Sequence, residues 1–133
     1  ETKNEQYLDF AQNIAAYILD NAPDDMIPHW DYDAPQVSEE PRDASAGSLI
    51  ASALYELSAY VPTKSEFYIQ NADRILESLS SKNYRAEIGT NGGFLLLHST
   101  GNKPADSEID SSINYADYYY LEALKRQIQI KNS

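Results

Sequence analysis

Arg42 and Asp43 are adjacent, and the chain's single tryptophan, Trp30, precedes them with Asp31 and Tyr32 at its side. An aromatic face beside a guanidinium and carboxylates is a combination that holds a sugar or another polar ring, because the ring stacks while the charged groups take its hydroxyls. Asp43 also has a plainer reading. An aspartate placed directly before an apolar-periodic stretch usually takes up free backbone N–H groups as a helix N-cap. The two readings are compatible. Asp117 stands near the start of another such stretch. Two carboxylates facing each other across a cleft suit general acid and base work, yet spacing alone leaves Asp43 and Asp117 equally readable as helix-start residues.

Tyr115, Tyr118, Tyr119 and Tyr120 crowd the same late segment as Asp117. Successive helical residues point about 100° apart, so four tyrosines cannot share one core face. Either they pack against several neighbours, or Tyr115 or Tyr119 offers its hydroxyl to a ligand near Asp117. His29 and His98 lack the spacing of a helical zinc pair; the plain reading of His98 is a satisfied histidine at the edge of a buried run. Asp24, Asp25, Asp31 and Asp33 supply oxygens that suit calcium, but the calcium-loop pattern with its central glycine and terminal glutamate is absent. No metal and no cofactor is expected. There is no nucleophile elbow, phosphate-binding glycine loop or nucleotide fingerprint.

Composition narrows the partners. The 133 residues carry ten Lys and Arg against 21 Asp and Glu, a formal charge of −11, which opposes a nucleic acid partner. An anionic ligand must then rely on a few local cations such as Arg42, His29 or His98. The lack of cysteine excludes disulfides, thiolate metal sites and a cysteine nucleophile and leaves the compartment open. No apolar run approaches the roughly 20 residues of a membrane span, and the first residues lack a signal-peptide pattern, so no membrane association is expected.

Four helices must position these groups within one domain, residues 1–133. The first runs from residue 4 to about 21, with Tyr7, Phe10, Ala11, Ile14, Tyr17 and Ile18 on an apolar face. Pro23 ends it, and Pro23 to Arg42 reads as loop. Asp43 or Ser45 caps the second, whose stripe is Ala46, Leu49, Ile50, Ala53, Leu54 and Leu57 among many small residues. Thr63 and Glu66 suggest a capping box for the third, with Phe67, Tyr68, Ala72, Ile75, Leu76 and Leu79 inward. "FLLLHST" is too short for a typical helix and reads as an extended or single-turn segment buried between helices. The last helix carries Ile113, Ala116, Leu121, Leu124 and Ile128.

The chain also repeats weakly upon itself. Tyr7 to Ile14 resembles Tyr68 to Ile75, and Ala46, Ala53 and Leu54 match Ala116, Ala123 and Leu124. Each unit is an outer amphipathic helix, a long polar loop and an inner helix, and two such units leave flanks uncovered. A partner or a longer parent is therefore expected.

Four segments in order, "IPHWDYDAP", "RDASAGSLIASALYELS", "GGFLLLHSTGNKP" and "DSSINYADYYYLEALKR", resemble the C-terminal third of the unsaturated glucuronyl hydrolases, glycoside hydrolase family 88, from about residue 7 to 126. The sibling family 105, the unsaturated rhamnogalacturonyl hydrolases, shares the architecture. The resemblance implies an all-α fold, about two hairpins of an (α/α)6 toroid. It implies an anionic oligosaccharide bearing an unsaturated uronic acid, in which an aspartate protonates the C4=C5 bond and assists water addition at C5. The family's two catalytic aspartates lie in earlier hairpins and have no match here, so no catalytic residue is assigned. The positions carried over as groups near the cleft are Trp30, Asp31, Arg42, Asp43, Ser45, His98, Asp110, Tyr115 and Asp117. Arg42 and Tyr115 best suit a uronate carboxylate and ring hydroxyls. The chain is expected to be inactive alone, or else a non-catalytic carbohydrate-binding or oligomerisation module, and to meet copies of itself or an upstream half of the same protein.

Overall fold

The computed structural model describes residues 4–132; residues 1–3 and 133 of the expected domain lie outside the described residues. Four α-helices carry the fold: α1 (Glu5–Asp20), α2 (Ala44–Tyr60), α3 (Ser65–Ser80) and α4 (Asn114–Lys131), with short 3-10 turns in the connections. Among the described residues there are no strands, and the extended segments meet only in isolated antiparallel bridges.

Helix α2 is the centre. Its run of Ala, Ser and Gly keeps its surface low, so α3 and α4 both pack extensively along it. Gly47 shows why this matters: a Cβ there would lie 3.1 Å from the Ile27 Cδ1 and 3.7 Å from a Leu79 methyl. Ile27, fully buried together with Met26, is thus the plug by which the long loop after α1 is anchored to the core. Ile75, Leu76 and Leu79 of α3 and Ala116, Tyr120 and Ala123 of α4 complete that core. The hydroxyls of buried Ser48 and Ser58 bond back to carbonyls three residues earlier, so the small polar residues of α2 cost little on burial.

Two details depart from expectation. The capping box is not formed: Pro62–Lys64 winds as a 3-10 turn, α3 starts at Ser65, and no side chain caps it. Proline at the first position of that turn fixes a φ suited to a helical start and lacks the N–H that would go unpaired there. Helix α1 is predicted correctly in extent, capped by the Asn4 side-chain Oδ1, which accepts Gln6 N–H, but its apolar face is mostly uncovered. Only Ala15 is buried, whereas Tyr7 and Phe10 remain 64% exposed. The same holds for Leu49 on α2, Phe67 on α3, and Leu121 and Ile128 on α4. Helical spacing reports an apolar face; it does not report what lies against it.

Candidate functional site

The connection between α3 and α4 organises the candidate residues. Residues 94–101 form an extended strap. Leu97 N–H donates to the Tyr84 carbonyl and Ala86 N–H to the Leu95 carbonyl, so the strap folds back on the segment after α3. Ser99 exchanges both backbone bonds with Ser111, at 3.0 and 2.8 Å. Leu96, Ser99 and Thr100 are buried while Phe94 and Leu95 stay exposed. The strap is therefore extended, one of the two alternatives its sequence leaves open.

Asp43 is both a cap and a clasp. Its Oδ1 accepts from Ser45 N–H at 3.0 Å and from the Ser45 hydroxyl at 2.6 Å, closing the start of α2. The same oxygen accepts Thr100 N–H at 3.2 Å, and the Thr100 hydroxyl donates to the Arg42 carbonyl at 3.0 Å. Ala44 N–H donates to the His98 carbonyl at 2.9 Å. The beginning of α2 and the end of the strap are thus one hydrogen-bonded unit.

Asp117 does not cap its own helix. Helix α4 starts at Asn114 after Ile113 without a side-chain cap, and Asp117 lies in the first turn. Its carboxylate reaches across to the strap, where Oδ2 accepts Leu95 N–H at 2.8 Å and Oδ1 accepts Leu96 N–H at 3.0 Å. Two orphan amides of an extended segment outcompete the helix terminus because they face both oxygens of one carboxylate. Tyr115, 43% exposed, stands at the far end of the strap, where a Cβ on Gly101 would be 3.2 Å from its phenol oxygen.

The loop between α1 and α2 is drawn in from the other side. His29 and Arg42 form an antiparallel bridge; Trp30 N–H donates to the Pro41 carbonyl at 2.8 Å and Asp43 N–H to the Pro28 carbonyl at 2.9 Å. The half-buried Trp30 is held at the base of this loop. Arg42 Nη1 donates to the Ile27 carbonyl at 2.5 Å and lies 3.2 Å from the Asp25 carboxylate, which also accepts the Tyr84 hydroxyl at 2.7 Å. Arg42 therefore ties loop to core. Burial, then the hydrogen bond to Asp25 and its charge, push the Tyr84 hydroxyl well above its ordinary pKa, against a lowering from Arg42. The Tyr32 hydroxyl is raised by burial first, then by Tyr17 and Asp43.

So Asp43, His98, Tyr115 and Asp117 gather along the strap, Arg42 joins it through its carbonyl, and Trp30 is linked through the loop base. Asp25, Tyr84 and Thr100, which connect these groups, have no sequence signal: their partners are remote in the chain. The other tyrosines divide. Tyr120 is buried with its hydroxyl 2.8 Å from Ser80 Oγ, and Tyr118 meets Tyr119 edge to face at 5.1 Å. Among the described residues no group of three or more His, Cys, Asp or Glu is arranged to hold a metal ion. In the same residues no helix is long and apolar enough to cross a membrane.

No family model matches the chain. Curated proteins do. An unsaturated glucuronyl hydrolase of Formosa agariphila is 44% identical over 128 residues, 95% of this chain and 32% of that protein. An unsaturated chondroitin disaccharide hydrolase of Streptococcus pneumoniae is 29% identical over 93% of this chain and 32% of its own length. Among solved structures, an unsaturated glucuronyl hydrolase specific for heparin superposes with a TM-score of 0.95 at 47% identity, covering 99% of this chain and 36% of its own. A Streptococcus agalactiae variant complexed with dGlcA-GalNAc6S gives a TM-score of 0.85 at 30% identity, over 93% of this chain and 33% of its own. The chain spans about a third of the length of the relatives it matches. These neighbours have an α/α toroid fold, and the four helices are hairpins of that architecture.

Proposed function

We propose that this chain, similar over 95% of its length to about a third of an unsaturated glucuronyl hydrolase, is the C-terminal segment of a glycoside hydrolase that hydrates the double bond of unsaturated uronic acid saccharides. In this reading it supplies one wall of the sugar cleft. The proton-donating aspartates come from the preceding hairpins, and the chain alone does not turn over substrate. The observation that supports it most is the strap, on which Asp43, His98, Tyr115 and Asp117 converge although they lie in three separate stretches of sequence. Trp30 at the loop base supplies an aromatic face, and Arg42 shapes the wall by holding the loop. The test is incubation with an unsaturated uronyl disaccharide while the ultraviolet absorbance of the C4=C5 bond is followed. No loss of absorbance is expected. Turnover by the chain alone, abolished by Asp43→Asn or Asp117→Asn, overturns the proposal.

One observation favours an assembly role beside this. Helices α1 and α2 flank an apolar groove of about 550 Å3 lined by Leu8, Ala11, Ile14, Leu49, Ala53 and Leu57. The relatives carry twice as much chain again as is present here, so the occupant we assign is an amphipathic helix of that preceding polypeptide. Sedimentation of this chain with the upstream two thirds of a relative, supplied as a separate polypeptide, should give a one-to-one complex that Leu49→Asp abolishes. A complex indifferent to Leu49→Asp, or a dimer of this chain formed through the groove instead, refutes the assignment.

A further inference from the structure

His98 combines two unusual features. Its backbone is left-handed, with φ +62°, a conformation uncommon for a residue with a Cβ. The strap holds it there: the His98 carbonyl accepts Ala44 N–H, and the adjacent Ser99 is paired on both sides with Ser111. The half-buried ring stands edge to face on Tyr84, centroids 6.0 Å apart at 88°. Its Nδ1 lies 2.5 Å from Asp110 Oδ1. Asp110 is itself left-handed, φ +50°, and immediately precedes the bridge residue Ser111. Backbone on both sides of the contact is therefore fixed by the Ser99 and Ser111 pair, and Tyr84 bounds the ring on a further face.

From this geometry we propose that Asp110 is a positioning residue that fixes the His98 tautomer, with the proton on Nδ1 and Nε2 presented to the cleft as a hydrogen-bond acceptor for a sugar hydroxyl. An ionised carboxylate only accepts, so the neutral imidazole facing it must carry its proton on Nδ1, and the second ring nitrogen keeps its lone pair. This is the device by which a second group sets which nitrogen of a histidine does the work. The ligand class that fits Nε2 is a neutral hydroxyl donor; an anionic group is the wrong partner for a lone pair. The role of Nε2 rests on the cleft reading given above, whereas the tautomer does not.

The two are separable by experiment. With only His29 and His98 in the chain, nitrogen-15 NMR of the imidazoles on the intact 133-residue protein resolves both. At a pH where His98 is neutral, a protonated Nδ1 and an unprotonated Nε2 are expected. Asp110→Asn, turned so that its amide oxygen accepts, should keep this pattern. Asp110→Ala should move the proton toward Nε2, the nitrogen favoured by a free imidazole. A wild-type His98 with its proton on Nε2 overturns the proposal whatever the variants do, and so does a folded Asp110→Ala chain with an unchanged pattern. Addition of an unsaturated uronyl disaccharide should then shift the Nε2 resonance. With the expected tautomer and no shift, the cleft assignment of Nε2 falls while the positioning role of Asp110 stands.

Discussion

At the scale of single residues, Asp117 carries the clearest consequence. Two backbone amides of the strap depend on one carboxylate, and hydrogen bonds to a charged acceptor contribute roughly 1.5–3 kcal/mol each when buried. One of these is exposed and the other partly buried, so Asp117→Ala should destabilise the protein by about 1–3 kcal/mol, read from urea denaturation, with Asp117→Asn costing less. A second expectation concerns alkaline pH. The hydroxyls of Tyr55 and Tyr84 are buried and donate to Asp73 and Asp25, and both pKa values are raised above the ordinary 10.0, burial being the largest cause. Their stabilising contribution is complete below pH 10, where the unfolded tyrosines are also neutral. It is lost as pH rises past that point, because the unfolded chain releases protons that the folded one retains. Circular dichroism should report unfolding above pH 10 together with a rise in tyrosinate absorbance, and Tyr84→Phe should be less stable near neutral pH but lose less of its stability between neutral pH and the alkaline range. Neither role was legible in the sequence. Asp43 announces itself by preceding an apolar-periodic stretch, whereas the partners of Asp117 and Tyr84 lie far along the chain and leave no local pattern.

At the scale of elements, α2 shows how far periodicity reaches. Its extent, its Asp43 cap and its interior character all follow from small residues placed around an aliphatic stripe, and the structure agrees. Gly47 sharpens the point. Alanine there gains helix propensity of about 1 kcal/mol and needs Ile27 to give slightly, so the two effects nearly cancel. Valine adds methyl groups against Ile27 and Leu79, and overpacking of this kind costs about 1–3 kcal/mol. Gly47→Val should therefore lower the urea midpoint while Gly47→Ala leaves it close to wild type. Cavity formation gives a comparison within α3: Leu79 is fully buried, and Leu79→Ala should cost about 2–5 kcal/mol. The exposed faces of α1 and α4 mark where the same pattern fell short. Tyr7, Phe10, Leu121 and Ile128 have core spacing but stay more than half exposed, since an apolar stripe encodes a contact without naming its partner.

At the scale of the whole molecule, a charge of −11 opposes any uronate. Arg42 is engaged by Asp25, Arg126 by Glu56, and Lys103 by Glu40. On the proposed cleft reading, binding of an unsaturated uronyl disaccharide should therefore strengthen as salt is raised toward about 0.15 M, where the Debye length falls to about 8 Å. Calorimetry that shows weaker binding at higher salt would instead indicate that local cations dominate. The segment "GGFLLLHSTGNKP", one of four family-like motifs in the sequence, contains the strap, so the stretch that joins the candidate residues is legible in the sequence while its hydrogen bonds to Asp43 and Asp117 are not.

The strap has one more consequence. Clasped by Asp43 at one end and Asp117 at the other, its Leu96 and Thr100 amides should exchange with deuterium as slowly as a helix interior. The turn leading into it, where Gly89, Asn91, Gly92 and Gly93 are left-handed and Ile88 is wholly exposed, is the natural place for a protease to cut. A chain nicked there should stay in one piece under native conditions, because α4 on one fragment remains packed along α2 on the other.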